Sequence, residues 1–214
     1  KEFNKILSDN GIKTNSQALM FLSNVLANSD YMTDRGQGWS TEEDLPKYIV
    51  YEKDSNGEET DIPTTYPDGT TIFDPPGTEE QNKYREGSLA NDLGNKEIGD
   101  GYRYRPRGYL YINGKNEYSA FDKTYERSPD TITSTPEAAF RVAAFVWAKK
   151  KETTANKKTS NDYAKGTDSS LGKGNSASFS RTITISQSTP DQQKSFEIFE
   201  KVLSLYNVIS YNKP

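Results

Sequence analysis

Apolar positions recur at helical spacing in four separate stretches of the chain. Phe3, Ile6 and Leu7 fall on one side of a helix over residues 2–9, and Gly11 follows as a stop. Asn15 or Ser16 caps a second helix, whose stripe is Ala18, Leu19, Phe21, Leu22, Val25 and Leu26. Thr135-Pro136-Glu137 opens a third, with proline at the first helical position. It passes Phe140, Ala144, Phe145 and Trp147 and ends on Lys149-Lys150-Lys151, whose charges suit a helix C-terminus. Thr189-Pro190-Asp191-Gln192 is a capping box for a last helix bearing Phe196, Phe199, Val202, Leu203 and Tyr206. The longest predicted helices are therefore 16–27, 136–149 and 190–206.

The pattern is different between these stretches. Lys47 to Tyr51 is apolar and aromatic, Asp54-Ser55-Asn56-Gly57 is a turn signal and Asp61-Ile62 leads out, which predicts a small hairpin. Residues 63–80 are punctuated by Pro63, Pro67-Asp68-Gly69 and Pro75-Pro76-Gly77 and read as loop. Gly94 to Gly114 is dense in Gly, Arg and Tyr without helical period. Residues 150–180 read as a mobile polar loop, and Thr182 to Ser186 alternates apolar and polar residues weakly. No internal repeat is visible.

Composition narrows the chemistry. The chain has 214 residues, enough for one domain of fair size, yet only 32% are hydrophobic. Aromatics are plentiful, with 14 Tyr among them, and tyrosine suits wet polar binding faces. A net charge of −4 argues against nucleic acid and against anionic membrane surfaces as partners. No apolar run approaches a membrane span, and no signal peptide is read in these residues. There is no Cys and no His, which removes thiolate and imidazole chemistry, including the usual metal sites. No metal or cofactor is expected. Any catalysis falls to carboxylates, Lys, Tyr or hydroxyls.

The stretch Gly94-Asn95-Lys96-Glu97-Ile98-Gly99-Asp100-Gly101-Tyr102-Arg103-Tyr104-Arg105-Pro106-Arg107-Gly108-Tyr109-Leu110-Tyr111-Ile112-Asn113-Gly114-Lys115-Asn116-Glu117-Tyr118 resembles the signature of family 19 chitinases and phage endolysins. That signature is roughly G-N-x-E-x-G-D-G-W-R-Y-R-G-R-G-L-I-Q-L-T-G-R-x-N-Y. The resemblance extends in order to Asn15–Asp34, Ser134–Trp147 and Ile185–Tyr206, but not to 35–85 or 150–180. It implies a mainly α, two-lobed, lysozyme-like domain spanning 1–214, with a small β-hairpin and long loops. Residues 35–85 would be a divergent insertion. It also implies inverting glycoside hydrolysis, in which one carboxylic acid protonates the leaving oxygen and a second carboxylate activates water.

Departures from the family fall on its functional positions. The catalytic acid aligns with Asn28, and the second carboxylate survives as Glu97. The resemblance implies that these two face each other across one groove, since paired carboxyls in inverting enzymes stand about 6.5–9.5 Å apart. Tyr111 replaces a Gln, Asn113 the Ser or Thr that helps place water, and Glu117 an Asn. Ser186-Gln187-Ser188 replaces a sugar-contacting Asn-Gly-Gly. The resemblance thus assigns substrate contacts to Tyr104, Tyr111, Asn113, Glu117 and Ser186. It assigns framework roles to Arg103, Arg105, Arg107 and Gly108. Tyr102, Tyr104, Tyr109 and Tyr111 suit either sugar stacking or a half-buried extended strand. Glu97 is either a remaining base or a loop carboxylate paired with an arginine.

A retained fold with an abandoned reaction fits this pattern. The expected function is a degenerate chitinase-like protein that binds chitin-like or peptidoglycan-like polysaccharide, secreted or wall-associated as the family implies, with little or no hydrolysis. Two alternatives stand beside it. One is an active hydrolase whose acid has moved to Asp30, Asp34, Glu42, Glu43 or Glu117. The other is a structural wall or coat protein that kept only the fold.

Overall fold

A computed structural model of the chain describes residues 2–30, 32, 44–122, 128–151, 157–164, 176–186 and 192–211. The protein is mainly helical with one small antiparallel hairpin, as expected for a lysozyme-like domain. It divides into two compact units, each built from discontinuous chain. The first comprises Lys1–Gly36, Arg107–Tyr111 and Ile132–Pro214, and the second Gln37–Pro106 and Ile112–Thr131.

The first unit is organised by the helices Asn15–Asn28 and Pro136–Lys149. Thr14, rather than Asn15 or Ser16, is the N-cap of the former. Its hydroxyl accepts from Gln17 N–H, and the Gln17 side chain accepts from the Thr14 N–H at 3.0 Å. Thr135 caps the latter, and Pro136 stands at its start, where no N–H is needed. Their apolar stripes meet edge to face: the Phe21 ring lies 5.3 Å from Phe140 and 5.6 Å from Trp147. Such pairs add about 0.5–1.5 kcal/mol each beyond burial. The helix Glu2–Asp9 adds Phe3 against Phe140 at 4.7 Å.

Two helical segments occupy chain expected to be loop or weakly alternating. Ser160–Ala164 is helical and buried at Ser160, Asn161 and Ala164, and the Asn161 amide donates to the Gly11 carbonyl at 3.1 Å. Ser176–Ser186 is a helix, not an extended segment. Two of its hydroxyls bond back to its own backbone, Thr182 to Phe179 O at 2.7 Å and Thr184 to Ser180 O at 3.1 Å. At 160–164 and 176–186 the chain is helical, and Phe179 and Ile183 are fully buried. Phe179 stacks on Phe199 at 4.4 Å, within the closing helix Gln192–Tyr211, which runs beyond its expected end.

The second unit holds the hairpin Tyr51–Lys53 and Glu59–Pro63. Asp54 closes its turn by accepting the N–H groups of Asn56 and Glu58 at 2.8 and 3.0 Å. Within 63–80 a second tight turn appears, where Tyr66 N–H bonds to Thr70 O and Thr65 bridges Thr71. Short helices follow at Glu79–Asn82, Gly87–Leu93, Asp100–Arg103 and Gly114–Phe121.

Candidate functional site

The Gly94–Tyr118 stretch is not the half-buried extended strand that its alternating tyrosines suggest. It is a series of tight turns around the short helix Asp100–Arg103, and it ends in the start of the helix Gly114–Phe121. The chemistry of Asp100 explains the first turn. Its carboxylate is fully buried and accepts the N–H groups of Lys96 and Glu97 at 3.2 and 3.1 Å, with the Lys115 ammonium at 3.3 Å. Gly99 takes φ +84° there, and a Cβ would stand 2.6 Å from Ile72 Cγ2, so only glycine fits. This turn leaves Glu97 exposed, lining a cleft of about 220 Å³ with Asp74, Arg85, Glu86 and Lys96. Across that cleft wall Arg85 grips Asp74 with two bonds, at 3.0 and 2.5 Å.

Arg103, the last residue of the short helix, and Arg105, just past its C-cap Tyr104, line a larger pocket of about 510 Å³ with Tyr66, Thr70, Tyr102 and Asp130. Arg103 donates to Asp68 at 2.6 Å and to Thr70 at 2.7 Å, and its guanidinium carbon lies 3.8 Å from the centre of the Tyr66 ring. Arg105 donates to the Tyr102 carbonyl at 2.9 Å and to Asp130 at 3.3 Å, with its guanidinium 4.2 Å from the Tyr102 ring centre. Partial burial pushes the Asp68 carboxyl up. Thr70 and the Arg103 guanidinium outweigh this and hold it at about 2. Burial pushes the Tyr66 phenol well above its ordinary range, aided by the charge of Asp100 and opposed by Arg103.

Among residues assigned to substrate, Tyr104 and Tyr111 are 4% and 7% exposed. The Tyr104 ring packs at 5.5 Å on Tyr118, so it is core rather than a stacking platform. Tyr111 has φ +43°, a left-handed conformation that few non-glycine residues hold. Asn113 and Glu117 work together at the start of the helix Gly114–Phe121, where the Asn113 N–H donates to the Glu117 carboxylate at 2.9 Å. Ser186 ends its helix, and its side chain is outside the described residues.

The remaining motif residues belong to the first unit. Arg107 is buried, and Gly108 has φ +82° with Val142 Cγ1 2.9 Å from where a Cβ would be. The segment therefore lies directly on the helix Pro136–Lys149. Asn28, the last residue of its helix, donates its amide to the Tyr109 carbonyl at 2.7 Å. Asp30 lies past the helix end, with φ +44°. Its carboxylate is 71% exposed and 3.5 Å from the Lys194 ammonium. Asp34, Glu42 and Glu43 lie outside the described residues.

Tyr66, Asp68, Thr70 and Asp130 were not picked out by the sequence pattern. The turn signal at Pro67-Asp68-Gly69 marks the loop but not its partner, Arg103. No group of three or more metal-ligating side chains occurs among the described residues. None of their helices is long and apolar enough to cross a membrane.

The chain is similar to a "Glycosyl hydrolase family 19 domain-containing protein" of Haemophilus influenzae, at 37% identity over 62 residues. The match covers 27% of this chain and 31% of that protein. No family model matches the chain.

Proposed function

We propose that this chain is a catalytically degenerate, family 19 chitinase-like protein that binds a chitin-like or peptidoglycan-like polysaccharide through its former active site. Glu97 is the remnant base, and Asn28 occupies the place of the acid. The observation that carries this reading is the Asn28 side chain. A carboxamide has no proton of carboxylic acidity, and this one is committed as a donor to the Tyr109 carbonyl at 2.7 Å. Of the positions expected to rescue the reaction, the two described ones, Asp30 and Glu117, have other contacts. The Asp30 side chain is 71% exposed and lies 3.5 Å from the Lys194 ammonium. Glu117 accepts the Asn113 N–H at a helix start. The partial similarity to a glycosyl hydrolase family 19 domain-containing protein supports a carbohydrate-related role. A polysaccharide partner places the protein outside the cell or at its wall.

Amide NMR titration with chitin oligomers and with solubilised peptidoglycan tests the reading. Shifts are expected at Asn28, at Glu97 and through Gly94–Asn113. Saturable binding that leaves all of these unmoved would overturn the site.

A further inference from the structure

The chain contains three Asn-Gly pairs, at Asn10-Gly11, Asn56-Gly57 and Asn113-Gly114. An asparagine before glycine readily loses its side-chain amide, because a residue without Cβ lets its backbone nitrogen reach the asparagine Cγ. The fold treats the three pairs differently. Asn10 is part-buried, and its amide donates to the Ile6 carbonyl at 2.9 Å. Gly11 donates its N–H to Ser8 O at 3.0 Å and accepts the Asn161 amide on its carbonyl at 3.1 Å. Asn113 has its side-chain oxygen buried and its N–H on the Glu117 carboxylate at 2.9 Å. Gly114 is buried and donates to Tyr104 O at 2.9 Å, with Leu93 Cβ 2.5 Å from where a Cβ would stand. Bringing Cγ onto the glycine nitrogen at either pair means breaking such contacts within packed structure.

Asn56-Gly57 stands instead at the tip of the hairpin. Residues 54–59 are all exposed, and no atom lies within 4 Å of the place a Gly57 Cβ would take. Asp54 closes the turn, its carboxylate accepting the Asn56 and Glu58 N–H groups and its carbonyl the Gly57 N–H at 3.0 Å. The strands behind the turn have 3 and 5 residues, and their register breaks between Tyr51 and Lys53. A two-stranded hairpin of this size holds its tip weakly, so freeing the Gly57 N–H costs little.

We propose that Asn56 is a site of spontaneous deamidation, at which the folded protein exchanges an amide for a carboxylate. The Gly57 nitrogen bonds to the Asn56 Cγ, the Cγ–Nδ2 bond breaks, and ammonia leaves with the proton that the Gly57 nitrogen gives up. Water then opens the cyclic imide at either carbonyl, leaving aspartate or isoaspartate at 56. Both products set a new negative charge between Asp54 and Glu58. The isoaspartyl form also lengthens the backbone by a methylene, which displaces Gly57 and Glu58 against Asp54 and loosens the turn. The inference is independent of the polysaccharide reading.

The test is to incubate the full chain at mildly alkaline pH, folded and in denaturant, and to follow all three asparagines by peptide mass mapping. Loss of amide at Asn56 in the folded chain is expected to run at least about tenfold faster than at Asn10 or Asn113, the factor that 1.4 kcal/mol of extra opening cost imposes. In denaturant that difference should disappear. Ion exchange should show a more acidic species growing with time in the wild-type chain at a rate that Asn56→Ser sharply reduces. An Asn56 that keeps its amide when folded but loses it in denaturant would overturn the proposal, since the turn would then protect it. Equal rates at the three sites in the folded chain would overturn it too. So would a difference that persists in denaturant, which would belong to the neighbouring residues and not to the fold.

Discussion

The Asn28 side-chain amide donates to the backbone carbonyl of Tyr109 at 2.7 Å, joining the end of one helix to the buried Arg107–Tyr111 segment. The position that the family resemblance gives to a catalytic acid thus serves as a structural donor. A carboxylate there would present an oxygen to an oxygen.

The first prediction follows from that contact. Asn28→Asp keeps the shape but loses the donor when ionised, and should cost about 1–3 kcal/mol at neutral pH. The introduced carboxyl can still donate when protonated, so its folded-state pKa is raised. Its stabilising contribution is then complete below the unfolded value, about 3.9, and is lost as pH rises through the folded value. Denaturant unfolding of both proteins at pH 4 and pH 7 should show the deficit growing with pH. An equal deficit at both would contradict the hydrogen bond.

Gly108 supplies a second prediction. Its φ of +82° and the 2.9 Å approach to Val142 Cγ1 leave no room for a side chain. Gly108→Ala should cost about 2–4 kcal/mol, part backbone strain and part overpacking. Adding Val142→Ala should relieve only the overpacking, though it opens a cavity of its own. Thermal melts of the single and double variants decide it, and an unchanged melting temperature for Gly108→Ala would contradict the packing described.

The Asp68–Arg103 pair predicts a pH window. With Asp68 held at about 2, its folded pKa lies below the unfolded value of about 3.9. The contribution is therefore present above about pH 4 and is lost as pH falls toward 2. The stability difference between the wild-type chain and Asp68→Asn should be constant from neutral pH down to about 4 and shrink below it. Carboxyl-carbon NMR should place the Asp68 midpoint near 2, and a midpoint near 4 would mean that the guanidinium contact is not maintained.

The principal helices were legible because caps and apolar stripes agree with one another, as at Thr135, Pro136 and the Phe140–Trp147 face. Ser176–Ser186 was not, because its Ser and Thr residues blur the apolar period. Only the fold shows that Thr182 and Thr184 bond back to their own helix. Tyr104 and Tyr111 resemble stacking platforms in sequence but are buried, since turns at Gly99 and Gly108 replace a strand. The pocket was illegible for a different reason. Arg103 meets Asp68 across 35 residues and Arg105 meets Asp130 across 25, and no local pattern records such pairings.

The central claim is that this chain holds polysaccharide without cutting it. The most direct test is to measure binding and release of new reducing ends in parallel, on chitin oligomers and on peptidoglycan, for the wild-type chain and Asn28→Glu. Positioned acid catalysis contributes typically about 10²–10⁴-fold. The wild-type chain should therefore bind at least one polymer with no turnover above background. Asn28→Glu should recover little, because Asn113 and Tyr111 still depart from the family pattern at the water and sugar positions. Robust turnover by the wild-type chain, abolished by Asp30→Asn or Glu117→Gln, would show that the acid has moved and would contradict the account.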